Sequence, residues 1–370
     1  MKRLNIIVTG GLVRLIDYII LKAYAQMKEE RTIYSIFYLL KGKRSIQTVQ
    51  DAHLFNLTSY YGIYKKISLH EYDVILQNLL DEQKINYNDT THTYFITKKG
   101  ESYIREDNHS QVFFSGMKYN NVAPSFYKRI LLFIQVWSNS NRLNQRYMPI
   151  IEDIQTENFI KNLYRQRKTY VKLDLTHLFV ELKDILRKIP EQNALMYVER
   201  LTGYKHYGLS VDQLALKNKV DNHTVELTLT SINHQILSVV SEHHKEYKTL
   251  YLLIEDLISK SHLTISASKT YELFNQNKNL QEIAQIRDLK LNTIYDHVIE
   301  IALYDSDFDI RRFVSLHISN EIINYVETNK TFKLKDIKDN INKEISYFQI
   351  RLVLSTMYTK ERGVNNQFRR

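Results

Sequence analysis

Residues 277–300 of this chain, NKNLQEIAQIRDLKLNTIYDHVIE, decide how the rest is read. Asn279 with Glu282 three positions later is the signature of a reciprocal helix cap, in which each side chain holds the other's backbone N–H. Ile283 and Ala284 supply the inward face of a short helix. Arg287–Leu289 is a turn, and Leu291, Ile294, Val298 and Ile301 recur at helical spacing beyond it. Two short amphipathic helices joined by such a turn form a helix-turn-helix, whose second helix enters the major groove in proteins that read DNA. Asp288 stands where Gly is usual, and Asp tolerates a left-handed turn better than most residues. With the last helix starting near Lys290, Asn292, Tyr295 and Asp296 are expected to face outward and Thr293 to lie near a phosphate. Lys suits phosphate or guanine and Asn suits adenine. Lys290, Asn292, Thr293 and Tyr295 are thus the expected nucleic-acid contacts of this segment.

Composition sets the frame around that motif. At 370 residues the chain is too long for one hydrophobic core, so two or three domains are expected. Its 44% hydrophobic content supports packed cores, and only 3 Pro and 9 Gly argue against a turn-rich sandwich or barrel. A mainly α fold follows. The absence of Cys rules out disulfides, Cys-ligated zinc, iron–sulfur clusters and thiol catalysis. Met1-Lys2-Arg3 before Leu4–Val8 imitates a leader but carries too short an apolar run, and no span of about 20 apolar residues occurs. The expectation is a cytoplasmic protein with no membrane contact.

The formal net charge of +10 invites an anionic partner, first of all nucleic acid. Its distribution is uneven. Residues 262–355, which hold the helix-turn-helix, carry 12 basic and 13 acidic side chains. Lys118 to Lys172 carries ten bases against three acids, with Tyr119, Phe126, Tyr127, Trp137, Tyr147, Tyr164 and Tyr170 interleaved. Bases mixed with aromatics suit a single-stranded track, where nucleobases stack on rings. Lys128, Arg129, Arg142, Arg146, Arg165, Arg167 and Lys168 are the contacts expected there. The bland alternative is a solvated charged face over core aromatics.

Four segments emerge along the chain. In residues 1–110, Thr32 caps a helix built on Ile33, Ile36, Phe37 and Leu40 and closed by Gly42; Ser45 caps a second. Ser68 and Glu71 form a capping box for a third. Ile85–Tyr87, the turn Asn88–Thr91, and Thr93–Thr97 alternate as a hairpin that ends by Gly100. Three helices and a hairpin are the order of a winged helix. Residues 111–261 read as an all-α middle, residues 262–355 as the helix-turn-helix domain with Ser268 capping its first helix, and residues 356–370 as a basic tail.

Two ends of the chain resemble the YpbB-like helix-turn-helix proteins of low-GC Gram-positive bacteria. The carriers are RTIYSIFYLLKGKRSIQTVQDAHLF (31–55), TYELFNQNKNLQEIAQIRDLKLNTIYDHVIEIAL (270–303) and ISYFQIRLVL (345–354). The C-terminal region is similar to a module fused to some RecQ-type DNA helicases, and the family's genes typically lie beside a RecQ-type helicase gene. The resemblance implies an accessory role with such a helicase in DNA repair or replication.

Other motifs carry less. Lys41-Gly42-Lys43-Arg44-Ser45 imitates the end of a phosphate-binding loop, but Phe37 replaces the first Gly and Arg44 displaces the hydroxyl. A helix end with three bases, Lys41, Lys43 and Arg44, near a phosphate is the reading kept. Asp305, Asp307 and Asp309 imitate a calcium loop, but Ile310 and Leu316 stand where Gly and a bidentate acid belong. No metal, cofactor or small-molecule substrate is expected, and no arrangement of nucleophile, base and oxyanion donor is recognisable. The expected function is a non-enzymatic DNA-binding accessory protein, its DNA a junction or a single strand and its partner a RecQ-type helicase. A sequence-specific transcriptional regulator and a protein-only scaffold for repair factors are the alternatives.

Overall fold

A computed structural model describes residues 14–90, 92–105, 112–258, 263–305 and 307–367. The leader-like turn Met1–Val8, Thr91 in the hairpin turn, Ser306 in the acidic loop and the terminal Arg369 and Arg370 lie outside these residues. Helices dominate. The first are α1 (Leu15–Met27), α2 (Tyr34–Lys41), α3 (Ile46–Leu54) and α4 (Leu69–Asp81), then an antiparallel hairpin of β1 (Ile85–Asn88) and β2 (Thr93–Ile96). There follow α5 (Lys98–Arg105), α6 (Gly116–Tyr119), α7 (Ala123–Ser140), α8 (Ile154–Arg167), α9 (Val171–Leu186), α10 (Glu191–Glu199), α11 (Val211–Asn218), α12 (Asn222–Glu242) and α13 (Lys248–Tyr251). The last six are α14 (Ile265–Asn275), α15 (Leu280–Ile286), α16 (Leu291–Tyr304), α17 (Leu316–Asn329), α18 (Leu334–Asn340) and α19 (Tyr347–Gln367). No helix among the described residues is long and apolar enough to cross a membrane.

The chain forms two compact units, and the first of them holds residues 1–25, 40–42 and 59–258. Its core is built by α7, α8, α9 and α12 around Phe126, Ile130, Phe133, Trp137, Ile160, Ile185, Ile232 and Ile236. Trp137 stacks on Phe133 at 4.0 Å, and its indole N–H donates to Asp174 at 3.1 Å. Asp174 is fully buried and is neutralised by a two-pronged bond from Arg167. A buried carboxylate needs such a partner, because its desolvation costs several kcal/mol. The Ser68–Glu71 box opens α4 as the sequence indicates. The hairpin closes at Ile96, and Gly100, expected at its end, lies inside α5. A Cβ there would sit 2.2 Å from the Lys84 carbonyl oxygen, so this helix approaches β1 only because the residue is Gly.

The second unit comprises residues 26–39, 43–58 and 259–370. The winged-helix order expected over 1–110 is not a packing unit here, since most of α2 and all of α3 belong to this second unit while α4 and the hairpin belong to the first. The reason is polar as well as apolar. Asp51 is 4% exposed and receives the Arg31 guanidinium at 2.8–3.0 Å. Gln50 donates to the Arg351 carbonyl at 2.7 Å and to the Ser355 hydroxyl at 3.0 Å, both on α19. Glu30 accepts from the Phe332 N–H at 2.9 Å and the Thr331 hydroxyl at 3.1 Å.

Within this unit the helix-turn-helix occurs twice. In each copy a hydroxyl caps the first helix, Thr264 for α14 and Ser315 for α17, so Ser268 is not the cap. A left-handed residue closes that helix, Asn277 at φ 61° and Lys330 at φ 54°. A seven-residue helix follows with one fully buried Ile, Ile283 in α15 and Ile337 in α18. Each third helix then buries an Ile at its fourth position, Ile294 in α16 and Ile350 in α19. The two third helices pack against each other and against α3.

Two stability tests follow. His234 is 1% exposed and accepts the Ser115 N–H on Nδ1, and burial pushes its pKa down to about 4. The neutral ring therefore stabilises the first unit above pH ~6.5, and roughly 3 kcal/mol is lost as pH falls from there to 4. Urea unfolding across that range should show the loss, and His234→Gln should flatten it. In the second unit, Arg31→Ala should cost about 3 kcal/mol in the same assay, because among the described residues Asp51 keeps only Gln47 as a side-chain donor.

Candidate nucleic-acid interface

The first helix-turn-helix is assembled by bonds that its sequence specifies. Asn279 Oδ1 accepts the Glu282 N–H at 2.9 Å, and Glu282 accepts the Asn279 N–H at 2.7 Å. Asp288 takes the left-handed turn at φ 50°, and the Leu289 N–H closes on the Ala284 carbonyl at 2.9 Å. Lys290 is the N-cap of α16. From the turn, Arg287 reaches back to the Ser266 carbonyl and to Thr270 at 2.7 Å, tying α14 to α15. Thr270 in turn bonds His297 Nδ1 at 2.8 Å, and burial followed by the nearby Arg287 charge lowers the His297 pKa.

The start of α16 carries its most exposed residues. Lys290 and Asn292 are exposed and Thr293 is half-buried. Tyr295 and Asp296 do not face outward freely, as the sequence suggests. Tyr295 stacks on Phe348 of α19 at 4.2 Å with planes 19° apart, and Asp296 pairs with Arg351 at 3.2 Å. Further along, Ile294, His297, Val298, Ile299, Ile301, Ala302 and Leu303 are buried. Glu300 accepts the Thr264 N–H at 2.6 Å. Burial raises the pKa of both Asp296 and Glu300. The two acids that would repel phosphate are thus occupied by internal partners.

The second copy repeats this exposure, and the sequence reading passed over it. Lys343 is exposed in the turn before α19, and Tyr347 is 48% exposed at its first position. Ser346 and Gln349 cap the helix reciprocally, with bonds of 2.9 and 3.2 Å. The Ser-x-x-Gln spacing was the available signal.

The other expected contacts divide between the units. In the second, Lys43 lies 4.0 Å over the Tyr38 ring, and Arg44 is exposed with Glu300 in electrostatic range. In the first, Lys41 donates to the Ile67 carbonyl at 3.0 Å, Lys128 pairs with Asp153 at 3.2 Å, and Arg165 bonds Asn162 at 3.1 Å. Arg129 is internal. It is 8% exposed, binds Asp256 with both nitrogens and lies 3.5 Å over the Phe159 ring. Arg167 is the partner of buried Asp174. Arg142, Arg146 and Lys168 are exposed. Of the aromatics between them, Phe126 and Trp137 are fully buried and Tyr119 is 2% exposed, so the expected stacking track loses those rings to the core. In the acidic loop, Asp305 accepts from the Tyr271 hydroxyl, and Asp309 is held by Arg311 at 2.8 Å, which pulls its pKa down to about 2.

Comparison with known proteins agrees with this geometry. A family model described as a helix-turn-helix domain matches residues 266–354, a span that begins in α14 and ends within α19. Protein YpbB of Bacillus subtilis (strain 168) is 31% identical over 346 residues, covering 92% of this chain and 96% of that protein. The chain belongs to the YpbB family. No solved structure matches it. Coverage of nearly the whole relative means that both units, and not the helix-turn-helix domain alone, are family features.

The packing of α16 separates two neighbouring residues experimentally. Tyr295→Ala should lower the stability of the second unit by about 1–3 kcal/mol, measured by denaturant unfolding, through loss of the ring pair and its buried area. Asn292→Ala should stay within roughly 0.5 kcal/mol of the parent, because that side chain is exposed.

Proposed function

We propose that this protein is a non-enzymatic DNA-binding accessory factor that works with a RecQ-type helicase in repair or replication. The observation that carries the DNA part is the exposed start of α16, where Lys290 and Asn292 project from a helix whose other residues are buried or half-buried. A cation and an amide at that position are the groups that meet phosphate and adenine in a major groove. Internal pairing of Asp296 and Glu300 supports the reading, because it reduces the repulsion implied by the local acid count. Lys343 and Tyr347 add the same kind of surface at the second turn. The helicase partner rests on the resemblance of the two chain ends to proteins encoded beside such helicases.

Affinity for a forked duplex, followed by fluorescence anisotropy, should fall steeply with salt. Neutralising roughly four phosphates gives a log–log slope of about −3.6. Lys290→Glu combined with Asn292→Ala should weaken binding at least ~10-fold and reduce the slope by about 1. A flat salt response, or a double variant that binds like the parent, would remove the DNA reading. Co-purification of a RecQ-type helicase that survives nuclease treatment is the expected result for the partner, and its loss on nuclease treatment would remove that part alone.

A further inference from the structure

A groove in the first unit has the character of a protein-docking site. It lies where α7 ends, between that helix, residues 141–153 and α8. Leu132, Val136, Leu143, Pro149, Ile160 and Tyr164 line a space of about 520 Å³. The loop over it is held from behind. Gln135, 3% exposed, accepts the Ile150 N–H at 3.0 Å and donates to the Met148 carbonyl at 2.9 Å. Asn139, also 3% exposed, receives Asn144 at 2.6 Å.

These buried amides fix a backbone that turns its apolar side chains outward. Leu143 is 91% exposed, Met148 83% and Ile154 77%. Ile154 stands on the α8 face that continues through the groove residues Glu157 and Lys161. Leu143 also adopts a left-handed φ of 55°, which a branched side chain takes only at a cost of about 1 kcal/mol. A rigid loop that strains its backbone to present Leu to water is a feature of binding sites rather than of solvated turns.

The charge around the groove identifies the occupant. Arg142 and Arg146 are exposed on the same loop, and neither makes an ion pair among the described residues. Glu157, the acid lining the groove, is already paired with Lys161 at 2.9 Å. We propose that this groove binds an amphipathic helix of a partner protein, apolar on the face that covers Leu143, Met148 and Ile154 and acidic on the flank that meets Arg142 and Arg146. Helix-in-groove recognition takes apolar anchors at positions i, i+3, i+4 and i+7. A nucleic-acid strand fits less well, because the most exposed side chains, Leu143, Met148 and Ile154, are not aromatic, and the two rings of the groove, Tyr147 and Tyr164, are only half-exposed. A small molecule inside the groove would touch Leu143 but leave exposed Met148 and Ile154, which do not line it, uncovered.

The test uses the full chain in the cells it comes from, with a photoreactive benzoyl-phenylalanine at position 143 or at position 154. A third copy with the label at exposed Leu216 is the reference. Irradiation and mass spectrometry should map both groove labels to one partner segment with apolar residues at helical spacing and acids beside them. Arg142→Glu with Arg146→Glu should cut the adduct yield from position 154 by about tenfold, whereas the Arg→Lys pair should retain it. All four are surface changes, and an unaltered unfolding midpoint confirms that the loss is one of binding. No adduct beyond the Leu216 level, an adduct to nucleic acid or to a second copy of this chain, or a contacted segment lacking acids would each overturn the proposal.

Discussion

The second unit depends on a polar connection between residues about three hundred positions apart. Gln50 on α3 bonds the backbone and a hydroxyl of α19, and its neighbour Asp51 is held by Arg31, whose guanidinium also reaches the Phe332 carbonyl at 3.3 Å. These groups are nearly all buried, so each bond is strengthened by the low local dielectric and costly to leave unmade. The consequence is that the helix-turn-helix domain is not built from C-terminal residues alone. A segment from the front of the chain completes it by covering α16 and α19, the two helices that in a free-standing motif present a broad reading surface.

That covering changes what the motif can do. A recognition helix normally leaves one long face for a groove, but α16 spends its middle and end on α3, α14, α15 and α19. Its exposed start and the turn before α19 remain, so under the proposed function contacts with DNA fall at helix N-termini and turns, where backbone N–H groups add to the Lys charges. The same burial explains why the weak net acidity of residues 262–355 is a poor guide. Charges such as Asp296, Arg351, Glu300 and Arg287 are directed inward to one another or to backbone, and the field outside is set by those left over.

What could be read from sequence was local. The caps at Ser45, Ser68 and Asn279, the left-handed Asp288, the start of α16 at Lys290 and the hairpin all follow from short-range rules and occur where those rules put them. What failed was pairing over distance. Nothing in Gln50 or Asp51 signals that their partners lie on α19 and at Arg31, so the front helices were grouped with the hairpin that follows them. Arg129 and Arg167 look like surface bases until Asp256 and Asp174 are found beside them. Tyr295 seemed outward because helical spacing gives only the face opposite the first stripe, and α16 has packed neighbours on more than one side. The second helix-turn-helix was missed because its spacing differs from the first, although Ile337 and Ile350 repeat the roles of Ile283 and Ile294.

The way the polypeptide passes back and forth between its two units sets a schedule on the ribosome. Residues 26–58 emerge well before α19, which carries part of their binding surface. At bacterial synthesis rates of 5–20 residues per second, the roughly 300 residues between them take about 15–60 s. During that interval Ile46, Val49 and Leu54, which pack against the C-terminal core of the finished protein, lack that partner. A chain interrupted before α19 would leave those side chains, and the buried amide of Gln50, without the partners they have in the complete unit.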